Sequence, residues 1–241
     1  METRSVSVED SAADELATGV SAAGWALVPR LLAPCACQDL ISHFDDEVRF
    51  RSSVVMERHG FGKGLYRYFA YPLPPIVEHV RQQLYSTLSP VANAWSEALG
   101  SSVRYPTTLH EFLRRCHDSG QRAPTPLILR YGRGDYNCLH QDLYGETVFP
   151  LQATVLLSDG SSFDGGEFVL TEQRPRRQSR VEVVPLKQGD AVVFAVNERP
   201  VSGSHGVYRV RHRHGVSTIR SGTRLTLGII FHDANVGETV S

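Results

Sequence analysis

A change of texture at Pro124 restricts the fold of this chain more than any other feature. From Leu127 to Asp233 the sequence is a series of short runs rich in Val, Ile, Phe and Tyr. Gly-Arg-Gly, Ser-Asp-Gly, Asp-Gly-Gly, Gln-Gly-Asp, Ser-Gly-Ser and Arg-Ser-Gly cut these runs at intervals of roughly 8 to 15 residues. Such a pattern builds antiparallel strands joined by tight turns. With helical patterns gathered ahead of it, the expected class is α+β and mainly β: a double-sheet barrel of the jelly-roll kind, buttressed by N-terminal helices.

The segment before Pro124 has the other period. Gly24 to Pro29 reads as a strand, and Leu32 to Phe44 as an amphipathic helix. Ile76, Val80, Leu84, Leu88, Val91, Ala92, Trp95 and Leu99 recur three or four apart, which predicts a long helix with Trp95 in the core and a break near Pro90. Thr108 to Cys116 predicts a short third helix. The expected organisation is a frayed N-terminus over 1–20 and a single domain over 21–241, with the helical buttress at about 21–123 and the barrel at about 124–234.

The 241 residues, 41% of them hydrophobic, suffice for one substantial core. No apolar run approaches the ~18 residues of a membrane-spanning helix. The N-terminal stretch is acidic and alanine-rich, without the pattern of a signal peptide. Cys35, Cys37, Cys116 and Cys138 form neither a C-x-x-C pair nor a compact disulfide framework. A reducing, cytoplasmic location is the expectation. The formal net charge of -1 excludes a globally basic nucleic-acid coat. The charge is unevenly placed, however: Thr171 to Arg224 carries eleven basic and four acidic residues, and only Lys63 and Lys187 in the whole chain are lysines. Any anion site here has to use arginine.

His-x-Asp occurs twice. His43-Phe44-Asp45 falls at a helix end, where residues two apart diverge by roughly 200° and cannot share a metal. His140-Gln141-Asp142 falls in a predicted strand, Tyr136 to Tyr144, where residues two apart point to one side. A third ligand has to come from His205, His212, His214 or His232. His214 is the best placed: it precedes a turn at Ser221-Gly222 and stands ten residues before Arg224, which predicts adjacent strands of a hairpin. Two histidines and a carboxylate on one face of a metal leave three positions open, the arrangement that suits non-haem Fe(II) oxygenases. A guanidinium such as Arg224 can then pair the far carboxylate of a 2-oxo acid.

At these residues the sequence resembles the Fe(II)/2-oxoglutarate-dependent dioxygenase superfamily, whose core is a double-stranded β-helix. The resemblance covers about 127–234. It implies Fe(II), 2-oxoglutarate and dioxygen as cofactor and co-substrates, with His140, Asp142 and His214 as metal ligands. Arg224 is implied as the 2-oxoglutarate anchor, with Tyr131 and Thr226 as further hydrogen-bond donors to the same carboxylate. Gly165-Gly166-Glu167-Phe168 matches a Gly-Gly-Glu turn of prolyl-hydroxylase-like members, which also share the ten-residue interval to the arginine. Tyr131 to Glu146, Arg174 to Arg180 and Ile229 to Ala234 resemble a bacterial AlkB-like group described as oxygenases of alkylated DNA.

That narrower resemblance implies oxidative demethylation of alkylated DNA or RNA bases as the function. Hydroxylation of a protein side chain or small molecule is the alternative, and a non-catalytic barrel that binds metal or 2-oxoglutarate is the second. Arg174, Arg176, Arg177 and Arg180 read either as a solvated loop or as phosphate contacts. Tyr66, Tyr68, Phe69 and Tyr71, after the glycine-rich 60–64 segment, read as buried packing or as a lid.

Overall fold

The computed structural model describes residues 10–204 and 206–237. Helix α1 (Asp10–Ala23) leads into β1 (Trp25–Val28) and α2 (Pro34–Ser42). Strands β2 (Phe50–Val55), β3 (Gly62–Lys63) and β4 (Leu65–Phe69) follow, then α3 (Pro75–Ala98) and α4 (Leu109–Asp118). The remainder is strand: β5 (Gln121–Ala123), β6 (Leu127–Tyr131), β7 (Tyr136–His140), β8 (Leu151–Leu156), β9 (Phe163–Gly165) and β10 (Phe168–Gln173). Next come β11 (Arg180–Val184), β12 (Ala191–Ala195), β13 (Glu198–Gly203), β14 (Gly206–Val216), β15 (Ile219–Gly222), β16 (Arg224–Ile230) and β17 (Ala234–Asn235).

Two antiparallel sheets face each other. The larger runs β1-β12-β8-β16-β6-β4-β2 and the smaller β11-β10-β14-β7-β3, with β13 also pairing β14. Alternation along β16 shows how the layers are used. Leu225, Leu227 and Ile229 turn outward into the cluster that holds Val77, Val80 and Leu84 of α3. Thr226, Gly228 and Ile230 turn inward to line a cavity between the sheets. This is the double-stranded β-helix with a helical buttress.

The two longer predicted helices resolve differently at their ends. Thr108 caps α4, accepting from the Glu111 amide at 3.3 Å while its hydroxyl donates to the Glu111 carboxylate at 3.1 Å. The expected break at Pro90 is absent: α3 runs through it. Proline removes one amide donor to the Ser86 carbonyl, and the Ser89 hydroxyl donates there instead, at 3.5 Å. Leu88, Val91 and Trp95 on either side are buried, so packing outweighs the lost bond.

Three expectations are corrected. Residues 10–20, placed in a frayed terminus, belong to α1, because Leu16 and Val20 lie one turn apart and bury against the core. The buttress is not purely helical: β2, β3 and β4 extend both sheets, carrying the barrel back to residue 50. Finally, His214 and Arg224 do not share a hairpin. His214 lies on β14 of the smaller sheet and Arg224 on β16 of the larger, with β15 between them pairing β9. The chain crosses from one wall to the other, so the two side chains approach across the barrel.

Candidate metal centre

His140 ends β7 and stands directly opposite His214 of β14 in the ladder. Their ring centroids are 4.1 Å apart. Asp142 lies two residues past the end of β7, so its direction is not set by strand alternation as the sequence suggested. It is set by Gln141, whose amide donates to Asn197 Oδ1 and to the His212 carbonyl, each at 2.7 Å. That anchor fixes the chain on which the Asp142 side chain stands. Asp142 Oδ1 comes 3.4 Å from His140 Nε2, and Oδ2 comes 3.3 Å from His214 Nε2. One ligand atom from each of the three residues lies within 4.8 Å of the others.

The donor set fits a divalent metal. His140 Nδ1–H donates to the Cys138 carbonyl at 2.8 Å, which turns Nε2, the atom a metal would take, toward Asp142. Burial would raise the Asp142 carboxyl, but the neighbouring His140, with further contributions from His214, holds it well below the usual carboxylate range. Burial, followed by the charge of His140, pushes His214 down to about 4, so it presents a neutral ring. Asp142 is further held by Tyr144, whose hydroxyl donates to Oδ1, and by Gln152, whose amide donates to Oδ2 at 2.7 Å. Burial and then the Asp142 charge raise the Tyr144 phenol well above its ordinary value, which keeps it a donor.

The ligands sit in the wall of a cavity of about 280 Å³, which Phe61, Tyr66, Tyr68, Tyr131 and Tyr144 make strongly aromatic. Tyr66 and Tyr68 alternate inward on β4, Phe69 packs into the outer core, and Tyr71 is exposed and donates to Asp233 at 2.9 Å. The cluster therefore divides: two rings line the cavity and one is structural packing.

Tyr131 and Thr226 also line the cavity, whereas Arg224 is fully enclosed beside them. Arg224 pairs with Tyr131 in the β16–β6 ladder, and its guanidinium carbon lies 6.0 Å from the Tyr131 and Phe163 ring centroids. Among the described residues its Nη1 has no hydrogen-bond partner, and neither does the buried Tyr131 hydroxyl. Burial pushes the guanidinium down to about 10. A buried cation with no carboxylate in salt-bridge contact among the described residues is costly, so this arrangement fits an anionic co-substrate. The Gly-Gly-Glu turn makes the space for it. At Gly166, with φ of 66°, an added Cβ would meet Ile219 Cδ1 at 2.2 Å and Arg224 Cδ at 2.8 Å.

The rival histidines go elsewhere. His212 accepts from Arg199 Nε at 3.0 Å, and the same guanidinium donates to Glu172 at 2.8 Å. His232 is buried beneath the cavity wall, its Nδ1 accepting from the Phe149 amide at 3.3 Å. His205 lies outside the described residues. His43 and Asp45 do not chelate: His43 lies 3.6 Å from Asp39, and Asp45 pairs with Arg130 at 3.1 Å.

In the basic loop, Arg174 is tied to Glu172 at 2.7 Å and Arg180 to Glu182 at 2.5 Å. Arg176, held at φ of 58°, and Arg177 are exposed and pair with no carboxylate among the described residues. Sequence reasoning missed Gln152. Its signal was available: Gln152 and Thr154 are alternate polar residues in the otherwise apolar strand 151–156.

A double-stranded β-helix carrying two histidines and one carboxylate in an aromatic cavity defines the class of 2-oxoglutarate/Fe(II) oxygenases. The family model described as "Oxygenase, catalysing oxidative methylation of damaged DNA" matches residues 64–234, and the chain belongs to this family. The uncharacterized protein Rv2227 of Mycobacterium tuberculosis is 49% identical over 167 residues, 69% of this chain and 72% of that protein. Among solved structures, a Pseudomonas putida prolyl-4-hydroxylase aligns over 90% of this chain and 96% of its own, with TM-score 0.51 and 15% identity. The α-ketoglutarate-dependent epimerase SnoN from nogalamycin biosynthesis aligns over 91% of this chain and 82% of its own, with TM-score 0.55 and 15% identity. These two likenesses are of fold. No described helix is long and apolar enough to cross a membrane.

Proposed function

We propose that this chain is an Fe(II)- and 2-oxoglutarate-dependent dioxygenase that removes N-methyl groups from damaged DNA or RNA bases by oxidising them. The observation that carries the reading is the juxtaposition of His140, Asp142 and His214 with an unpaired, buried Arg224 around one aromatic cavity. Fe(II), with 2-oxoglutarate and dioxygen, supplies the oxidation: 2-oxoglutarate becomes succinate and CO₂, and the N-methyl group gains one oxygen. The resulting N-hydroxymethyl group breaks down to formaldehyde and the free amine, so oxidation takes the methyl off the base.

The chain's own side chains have distinct tasks. His140, Asp142 and His214 would hold the metal at the wall of the cavity. Arg224 pairs the distal carboxylate of 2-oxoglutarate, and Tyr131 and Thr226 donate to it. Tyr66 and Tyr68 offer apolar faces and edges against which a base taken out of its stack can rest. Arg176 and Arg177, with Arg174 and Arg180 beside them, contact phosphate. Arg174 lies just past the end of β10, four residues from Leu170, the ladder partner of His214, or about 13 Å along an extended chain.

The ten-residue interval between His214 and Arg224 favours a second reading, hydroxylation of a protein side chain or a small molecule. The deciding experiment loads the protein with Fe(II) and 2-oxoglutarate without oxygen. Oxygen is then admitted in the presence of methylated single-stranded DNA, methylated duplex DNA or peptide pools, and succinate and formaldehyde are measured. Succinate matched by formaldehyde with methylated nucleic acid alone is the expected result. Hydroxylated peptide or metabolite without formaldehyde establishes the second reading. Tight 2-oxoglutarate binding with no turnover of any substrate indicates a non-catalytic barrel.

A further inference from the structure

Both oxygens of Asp142 are held by buried side chains from two different elements. Tyr144, in the irregular segment that follows β7, donates to Oδ1; Gln152, on β8, donates to Oδ2 at 2.7 Å. Gln152 is 4% exposed and belongs to a strand whose other inward-facing members are apolar or hydroxyl side chains. An amide there is expensive to desolvate unless its hydrogen bonds are used. On the donor side they are used: Nε2 bonds the carboxylate and lies 3.2 Å from His214 Nε2. On the acceptor side Oε1 is buried with no partner among the described residues.

A carboxylate with one anchored oxygen still turns about its Cβ–Cγ bond and can swing away from the histidines or bind a metal through both oxygens. One donor on each oxygen fixes the carboxylate plane. Here that plane sets Oδ1 toward His140 and Oδ2 toward His214, and each oxygen keeps a lone pair for a metal.

We infer that Gln152 and Tyr144 are positioning residues of the metal centre, locking the Asp142 carboxylate so that it faces both histidines. Gln152 also leaves its Oε1 as an acceptor for a hydrogen carried by water or ligand beside the metal. The inference rests on the metal site and is independent of which substrate the enzyme oxidises.

The test uses the full chain, without 2-oxoglutarate or substrate, titrated with Co(II) and followed by calorimetry and visible ligand-field absorption. Gln152→Met keeps the length of the side chain and loses the amide; Tyr144→Phe loses one hydroxyl. Each is expected to weaken Co(II) binding by about 10- to 100-fold and to shift the absorption band. Thr154→Val, altering the same wall without touching a ligand, is expected to change neither. Variants that fold by circular dichroism and bind Co(II) with the wild-type constant and band overturn the inference. Should Gln152→Met not fold, Tyr144→Phe decides the matter alone. A wild-type chain that binds no Co(II) overturns the metal site itself, and with it both this inference and the proposed reaction.

Discussion

His212 and His214 lie on the same face of the same strand, two residues apart, both buried and both held near 4. Their surroundings make them different groups. His214 meets the Asp142 carboxylate and the His140 ring across the ladder, so its nitrogen faces other potential ligands. His212 meets Arg199, which fills its Nε2 lone pair with an N–H. The cationic guanidinium on His212 Nε2 also repels a metal cation, whereas the neutral Gln152 amide 3.2 Å from His214 Nε2 has its shorter bond to Asp142 and can yield that nitrogen. The strand delivers both imidazoles to the interior, and the facing element decides what each can do.

The largest test of that contrast is His214→Ala, which is expected to abolish succinate release and to weaken metal binding by about a hundredfold or more. His212→Gln, whose amide oxygen can still accept from Arg199, is expected to retain metal binding within about threefold. Equal losses in the two variants, measured by Co(II) titration, would erase the distinction.

Arg199→Met attacks the other side of the comparison. It removes the cation between His212 and Glu172, whose carboxylate is 6% exposed. Arg174 still pairs with Glu172, so the expected cost is about 2 to 3 kcal/mol, read as a fall in denaturation midpoint with metal affinity unchanged.

Arg224→Met extends the contrast to a second buried guanidinium, one with no carboxylate in salt-bridge contact among the described residues. The expected effects have opposite signs. The 2-oxoglutarate requirement rises by tenfold or more, on the order of 1.4 kcal/mol or above, while the ligand-free protein gains thermal stability because an uncompensated cation is gone. A stability loss with unchanged 2-oxoglutarate affinity would assign the anchor elsewhere.

The smallest effect is on acid stability and involves His232, which is buried without a metal ligand beside it. Burial, reinforced by the charge of Arg81, pushes its pKa down to about 4. Between an ordinary histidine value near 6.5 and about 4, the unfolded chain takes up a proton that the folded chain refuses. Stability therefore falls as pH drops through that window. His232→Asn, which keeps an acceptor for the Phe149 amide, is expected to flatten the pH dependence of the melting temperature there by up to one proton. An unchanged slope would mean that His232 is already protonated in the fold.

The candidate metal cluster was legible because its signal is local and chemical. His140 and Asp142 are two residues apart at a strand end, and His214 stands ten residues before Arg224. The aromatic wall was half legible: alternation puts Tyr66 and Tyr68 on one face, but nothing in the sequence says which face is the cavity. Gln152 left a faint trace as a polar residue in an apolar strand. Arg199 left none, because its bond to His212 joins the ends of β13 and β14 through a register that residue types alone do not fix.

By itself, the sequence determined the period of each segment, the turns that cut the barrel into strands, and the ligand types. Those properties are set by backbone sterics and side-chain chemistry within a few residues. Tertiary structure alone decided that β14 and β16 belong to opposite walls, that β2 to β4 complete the sheets, and that Asp142 is aimed by Gln141 and gripped by Tyr144 and Gln152. These depend on contacts between residues far apart in the chain, and the free energy that selects them comes from burial and hydrogen bonding that exist only once the two sheets have closed on each other.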